Sequence, residues 1–193
     1  MTSWSMPEAE PVAVPDAGDA SSAPRPRWKR VRSWAIDVAV VIVVFVGISA
    51  WQARKLLPAG GEAPAFQLET LDGGTVALSD YAGRAVQLHF WATWCGVCGR
   101  EHGALNAVAR GDDHALVAIA VDSGAADAIR TYALEHGIEY TVAIDDGTVA
   151  AAYQVGSFPT NYYLDPAHTV VGKDVGMATR WAMRWRLSRA RRH

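Results

Sequence analysis

The hydrophobic and polar positions of this chain fall into distinct patterns, each predicting a different kind of element. Residues 34–51, "WAIDVAVVIVVFVGISAW", form an 18-residue run whose only charge is Asp37. That is near the lower limit of the ~17–25 residues a helix needs to cross a bilayer, and a membrane-spanning helix is predicted there. "AVQLHFWA" and "ALVAIAVD" are shorter, β-rich apolar runs that read as buried strands. "FQLETLDGGTVALSD" reads as two short strands around Asp72-Gly73-Gly74, a turn composition that supplies positive φ cheaply. "YTVAID", "TNYYLD" and "TVVGKDVG" are the remaining strands, the last two joined by an Asp165-Pro166 turn. Helices are predicted from the cysteine pair to about Arg110, over Ala125 to His136, in "GTVAAAYQV", and from about Ala178 onward. In the last segment Met177, Trp181 and Trp185 recur every four residues, an apolar stripe expected to pack on the sheet. Strands alternating with helices, then a hairpin and a helix, imply a central sheet covered on both faces.

Composition and charge divide the chain. Residues 1–33 are rich in Pro, Ala and Ser, carry acids and then bases, and read as a disordered cytoplasmic leader. Residues 34–51 are the span, 52–61 a Gly/Pro linker containing "LLPAGG", and 62–193 the folded domain. Arg25, Arg27, Lys29, Arg30 and Arg32 precede the span and only Arg54 and Lys55 follow it closely. Lysine and arginine stay on the cytoplasmic side, so the N-terminus is expected inside and the domain outside. Trp28, Trp34 and Trp51 suit the two interfaces, and Asp37 lies close to the headgroups. A cleaved signal peptide ending near "SAWQA" is the alternative; the long preceding region and bulky Trp51 favour retention. The net charge of −2 conceals an uneven distribution: residues 59–172 hold fourteen acids and four Lys or Arg, residues 173–193 seven basic residues and one acid. No basic stripe interleaved with aromatics runs through the body, which argues against nucleic acid as a partner. The basic tail is expected to be a solvated helix face, with anionic lipid headgroups as the other reading.

The only two cysteines, Cys95 and Cys98, lie in "HFWATWCGVCGREH". Outside the cytoplasm two thiols can pair and persist. A staple across so short a loop stabilises little, because a disulfide acts mainly by closing a long one. Redox chemistry accounts for the placement better: unpaired N–H groups at a helix start favour a thiolate, with Cys95 at that end and Cys98 one turn inside, more buried and poised to attack a mixed disulfide. CxxC also occurs in haem attachment and zinc half-sites, but no histidine follows Cys98 directly and no second cysteine pair supplies four zinc ligands. His89 and His102 are expected to have local roles.

"FWATWCGVC" at a strand-to-helix junction, "SFPT" about sixty residues later, and the opening "APAFQLETLDGGTVALSDYAGRAVQLHFWATWC" together resemble the thioredoxin superfamily, specifically its membrane-anchored TlpA/ResA-like (ScsD-like) thiol-disulfide oxidoreductases. The resemblance covers Glu62 to the C-terminus. It implies an α/β thioredoxin-like fold: a central mixed sheet flanked by helices, with an N-terminal β-hairpin and one separate transmembrane helix. It further implies that Cys95 attacks and Cys98 resolves, that Pro159 is a cis-proline leaving the Phe158 backbone free to pair with a substrate strand, and that Trp94 covers the site's edge. Where thioredoxin has a buried aspartate this chain has His89, which either accepts the resolving cysteine's proton or satisfies a core hydrogen bond. Glu101 matches an acid common in the family's helix; it either tunes the thiols and relays protons or is a solvated first-turn acid. Gly103 stands where the family usually has a kinking proline.

The reading is thus a membrane-tethered, periplasmic protein-disulfide oxidoreductase of the cytoplasmic membrane, without cofactor, more a reductase than an oxidant. Its implied partners are an extracytoplasmic protein client, such as apocytochrome c, and a transmembrane electron donor of DsbD/CcdA type. A copper metallochaperone using the same two thiolates is the rival from another class, because thiolate suits Cu(I). A thiol peroxidase is a weaker third.

Overall fold

A computed structural model describes Trp34, residues 36–44, residues 47–48 and residues 54–193. The chain divides into two compact units, Met1–Val41 and Ile42–His193. In the first, the described positions are helical with exposed side chains. Among the described residues no helix is long and apolar enough to cross a membrane. Residues 36–44 and 47–48 of the predicted span are helical; the rest of 34–51 apart from Trp34, and the leader 1–33, lie outside the described residues.

The second unit is built on a seven-stranded mixed sheet in the order β2-β1-β5-β4-β3-β6-β7. At its centre β3 (Val86–Trp91) and β4 (Ala115–Val121) run parallel, and every residue of both is buried. This is why their sequences read as continuous apolar runs: a parallel strand covered on both faces has no solvated side to alternate with. β5 (Val142–Asp145) extends the sheet in parallel, while β6 (Thr160–Leu164) and β7 (Val170–Val175) add antiparallel strands on the other side. β1 (Gln67–Thr70) and β2 (Thr75–Ala77) form the predicted hairpin, and β1 also pairs antiparallel with β5. At the turn Gly73 has φ +85°, and Asp72 Oδ1 accepts from the Thr70 hydroxyl and, at 3.3 Å, from the Gly74 N–H. Helices α1 (His102–Ala109) and α2 (Ala126–Glu135) provide the crossovers from β3 to β4 and from β4 to β5; α3 (Thr148–Ala152) and α4 (Arg180–Ala190) follow β5 and β7.

Because side chains alternate along a strand, β3 sends Leu88 and Phe90 into one core, with Val117, Ile119, Tyr153 and Tyr162. It sends Gln87, His89 and Trp91 to the opposite face, where Trp91 packs with Cys98, Leu105, Ile129 and Met183. Residues 56–61, within the predicted linker, are fastened to the sheet: Leu56 is buried, the Leu57 N–H donates to Tyr162 Oη (3.1 Å), and Lys173 Nζ donates to the Leu56 and Leu57 carbonyls (3.2 and 2.9 Å).

Two sequence expectations change. The helix after the cysteines is not α-helical from Cys95. Residues 98–100 form a 3-10 turn and the α-helix begins at His102. The stripe in α4 faces the other way: Met183, Leu187 and Ala190 are buried, while Met177, Trp181 and Trp185 are exposed. A four-residue repeat shows that side chains share a face but not which face meets the core. Here Met183 and Leu187, slimmer than tryptophan, fill the space beside α1 and β6, each stabilising by about 1.5–3 kcal/mol through burial.

Candidate active site

The site forms where β3 leaves the sheet. After Trp91 the chain turns, the Cys95 N–H donating to the Ala92 carbonyl (3.1 Å), and the loop following β4 holds this turn. The Thr93 N–H donates to Ser123 Oγ (3.1 Å) and Trp94 Nε1 donates to the Asp122 carbonyl (3.1 Å). From Cys95 to Glu101 the chain advances through successive i→i−3 bonds: Cys98 N–H to Cys95 O (3.0 Å), Arg100 N–H to Val97 O (3.2 Å) and Glu101 N–H to Cys98 O (3.0 Å). In such a turn side chains i and i+3 eclipse. This brings the two sulfurs together, and they are joined in a disulfide with Cα atoms 5.4 Å apart.

The two sulfurs are unequal. Cys95 is half-buried, and its Sγ accepts a hydrogen bond from the Cys98 N–H (3.3 Å). Cys98 is fully buried, in the cluster with Trp91 and Leu105. The donor that faces Cys95 Sγ is therefore one local amide of the 3-10 turn rather than the end of the α-helix. Between the cysteines Gly96 has open space around it and Val97 is exposed. Just after them a Cβ on Gly99 would stand 3.3 Å from Tyr132 Oη and 3.7 Å from the His136 ring.

An aromatic rim borders the pair: Trp94, largely exposed, meets Phe158 edge to face at 5.5 Å between centroids. The Phe158–Pro159 peptide is cis; Pro159 is buried and its carbonyl accepts from the Gly176 N–H (2.8 Å). The Phe158 backbone N–H and carbonyl make no hydrogen bond within the described residues.

Behind Cys98 lies a buried polar column. Asn161, opposite His89 in the β3–β6 register, accepts through Oδ1 from Gln87 Nε2 (2.9 Å) and lies 2.9 Å from His89 Nδ1. Glu101, one turn past Cys98, is buried; its Oε1 accepts from the Ala178 N–H (2.8 Å). The solvated first-turn reading of Glu101 is thereby excluded, because the segment leading into α4 closes over it. Burial pushes its carboxyl up to about 7, against the Ala178 bond and the nearby Asn161 amide, which favour the carboxylate. The Asn161 amide does so without closing a bond of ordinary geometry, so Glu101 Oε2 and Asn161 Nδ2 have no partner among the described residues. His89 Nε2 is likewise unpartnered, and burial lowers its pKa to about 4, partly offset by Asn161. His102 is also buried, between Tyr140 Oη (2.6 Å) and Tyr132 Oη (3.3 Å), and burial and then His136 lower its pKa to about 4. Both imidazoles are thus neutral at neutral pH.

Asn161, Tyr132, Tyr140 and Ser123 were not singled out from the sequence. Only Asn161 carried a signal, as an asparagine inside an otherwise strand-forming run, where that residue is depleted. Among the described residues no group of three or more His, Cys, Asp or Glu side chains is placed to hold a metal ion.

A redox-closed CxxC on a strand-to-helix junction, beside a cis-proline and over a mixed sheet, defines a thioredoxin-like thiol–disulfide oxidoreductase. The relatives agree. YneN of Bacillus subtilis strain 168, a thioredoxin-like protein, is 30% identical over 159 residues, covering 77% of this chain and 94% of its own. The thiol-disulfide oxidoreductase ResA of Bacillus anthracis is 29% identical over 152 residues, 75% of this chain and 88% of its own. The solved structure of the pneumococcal exposed lipoprotein thioredoxin Etrx1 from Streptococcus pneumoniae matches with a TM-score of 0.59 at 27% identity, over 65% of this chain and 99% of that one. The chain belongs to the AhpC/TSA family, whose model matches residues 59–173.

Proposed function

We propose that the protein is a membrane-tethered, extracytoplasmic reductase of protein disulfides, anchored by residues 34–51 with its N-terminus inside. The apolar run and the charge bias of its flanks support the tether, and the pneumococcal relative's name, an exposed lipoprotein, agrees with a location outside the cytoplasm.

The carrying observation is the inequality of the sulfurs. In the reduced enzyme Cys95, accessible and facing the Cys98 amide, is the thiolate that attacks a client disulfide; one client sulfur leaves as thiolate and a Cys95–client mixed disulfide forms. The open Phe158 backbone holds the client chain, with Trp94 along its edge. Cys98 then gives up its proton and attacks Cys95 Sγ, releasing the second client thiolate and leaving the Cys95–Cys98 disulfide. Glu101, buried one turn past Cys98 and with a pKa near neutrality, is the acceptor for that proton; His89, with its pKa lowered to about 4, is too weak a base. A transmembrane thiol donor of DsbD/CcdA type restores the dithiol, and apocytochrome c fits the client class.

The test is trapping. Cys98→Ser is expected to accumulate a mixed disulfide with client, and Cys95→Ser none; the converse would reverse the roles. Direction follows from the reduction potential: near ~−270 mV supports the reductase, near ~−120 mV an oxidant. Copper carriage by the same thiolates would show as tight one-to-one Cu(I) binding with negligible exchange activity.

A further inference from the structure

Helix α4 packs through Met183, Leu187 and Ala190. At about 100° per residue the opposite side of the helix carries Trp181 and Trp185, which are 74% and 55% exposed. Arg184 and Arg189 flank them, Arg180 is exposed at the helix's first position and Arg192 just past its last, and none of the four pairs with a carboxylate among the described residues. The remaining arginines of the segment differ: Arg186 is bound to Asp174 (2.6 Å) and Arg191 to Asp113. The guanidinium groups of Arg180 and Arg189 lie 5.5 and 5.1 Å from the centroids of the Trp181 and Trp185 rings.

Two exposed indoles bordered by cations that have no carboxylate partner call for a surface that is negative and only partly wet. The headgroup layer of a bilayer is both: indoles settle at that depth, and guanidinium binds phosphate through paired hydrogen bonds. A second copy of this chain is a poor occupant, because a two-fold contact would set the arginines against one another. The rest of the domain repels such a surface, with fourteen acids to four bases over residues 59–172, so within the domain attraction is confined to this end.

We propose that the outer face of α4 docks on an anionic phospholipid surface. The inference concerns the folded domain and stands apart from the reductase reading and from the tether.

Hydroxyl-radical footprinting of the full chain resolves the question at single residues. The chain is reconstituted in vesicles of phosphatidylcholine alone, or with about 30% phosphatidylglycerol. Oxidation of Trp181 and Trp185 is expected to fall about threefold or more on adding the anionic lipid, to recover in about 0.5 M salt, and to leave Trp94 unchanged. The combined change Arg180→Gln, Arg184→Gln, Arg189→Gln and Arg192→Gln should remove the protection. Flotation of the chain with neutral vesicles in high salt reports the tether separately, so either idea can fail alone. Equal oxidation in both lipids would overturn the proposal, as would protection that grows with protein concentration in lipid-free detergent, which would assign the face to a second copy.

Discussion

The two faces of the central sheet are packed to different ends. On the face holding Leu88 and Phe90, the deep polar groups are satisfied: Tyr153 Oη donates to the Pro64 carbonyl (2.7 Å), Tyr162 Oη to the Tyr153 carbonyl (2.5 Å), and the Asp145 carboxylate accepts from the Val149 and Ala150 N–H groups (3.0 and 2.8 Å). On the face holding Gln87, His89 and Trp91, unpartnered buried atoms gather: Gln87 Oε1, His89 Nε2, Trp91 Nε1, Asn161 Nδ2 and Glu101 Oε2. A buried polar atom without a partner costs about 1–3 kcal/mol. Both sides are packed, but the one under the cysteines also leaves buried polar atoms open, among them those of His89 and Glu101, whose protonation can change.

This contrast can be broken from either side. The largest effect is expected from Phe90→Ala, which leaves a hole among Tyr153 and Tyr162. It should cost about 3–5 kcal/mol in urea unfolding, while disulfide exchange per folded molecule stays near wild type. Loss of exchange at full occupancy of the folded state would show that the faces are not separable.

Next comes acid sensitivity. His89 and His102 have pKa values lowered from 6.5 to about 4. Their contribution to stability is present above 6.5 and lost as pH falls through about 4, each with a slope of at most about 1.4 kcal/mol per pH unit. Unfolding free energies measured between pH 7.5 and 4.5 should therefore decline. His102→Gln, although less stable at pH 7.5, should show a shallower decline; an unchanged slope would remove His102 from the account.

The smallest effect concerns Glu101, whose pKa is raised from 4.5 to about 7. Its contribution is present below 4.5 and lost as pH rises through 7. Glu101→Gln keeps an acceptor for Ala178 and should be more stable than wild type at pH 8 by roughly 2 kcal/mol. The same variant should lose the pH dependence near 7 in the release of mixed disulfide, followed by stopped flow. Release that keeps that dependence would assign the proton to another group.

The reach of the sequence follows the same division. β3, β4 and the Asp72-Gly73-Gly74 hairpin were legible because apolar runs and turn residues report local geometry directly. The cysteines were legible because their spacing is itself the chemistry. The burial of Glu101 was not, since it depends on the Ala178 segment closing over it from 77 residues away. Nor was the 3-10 turn: its residues satisfy either helix, and the choice is settled by the disulfide and by Thr93 and Trp94 being held to the Asp122–Ser123 loop. The outward tryptophans of α4 were missed because size and apolarity suggest interior, whereas the available groove fits Met183 and Leu187.

Gly96, with nothing near it, and Gly99, hard against Tyr132 and His136, stand on either side of Cys98. Substitution meets nothing at the first and a close side-chain hydroxyl at the second. Variants selected for a new potential should therefore diversify most readily at Gly96, inside the four-residue motif, while a side chain at Gly99, just beyond it, requires the Tyr132 hydroxyl to move by a few tenths of an ångström.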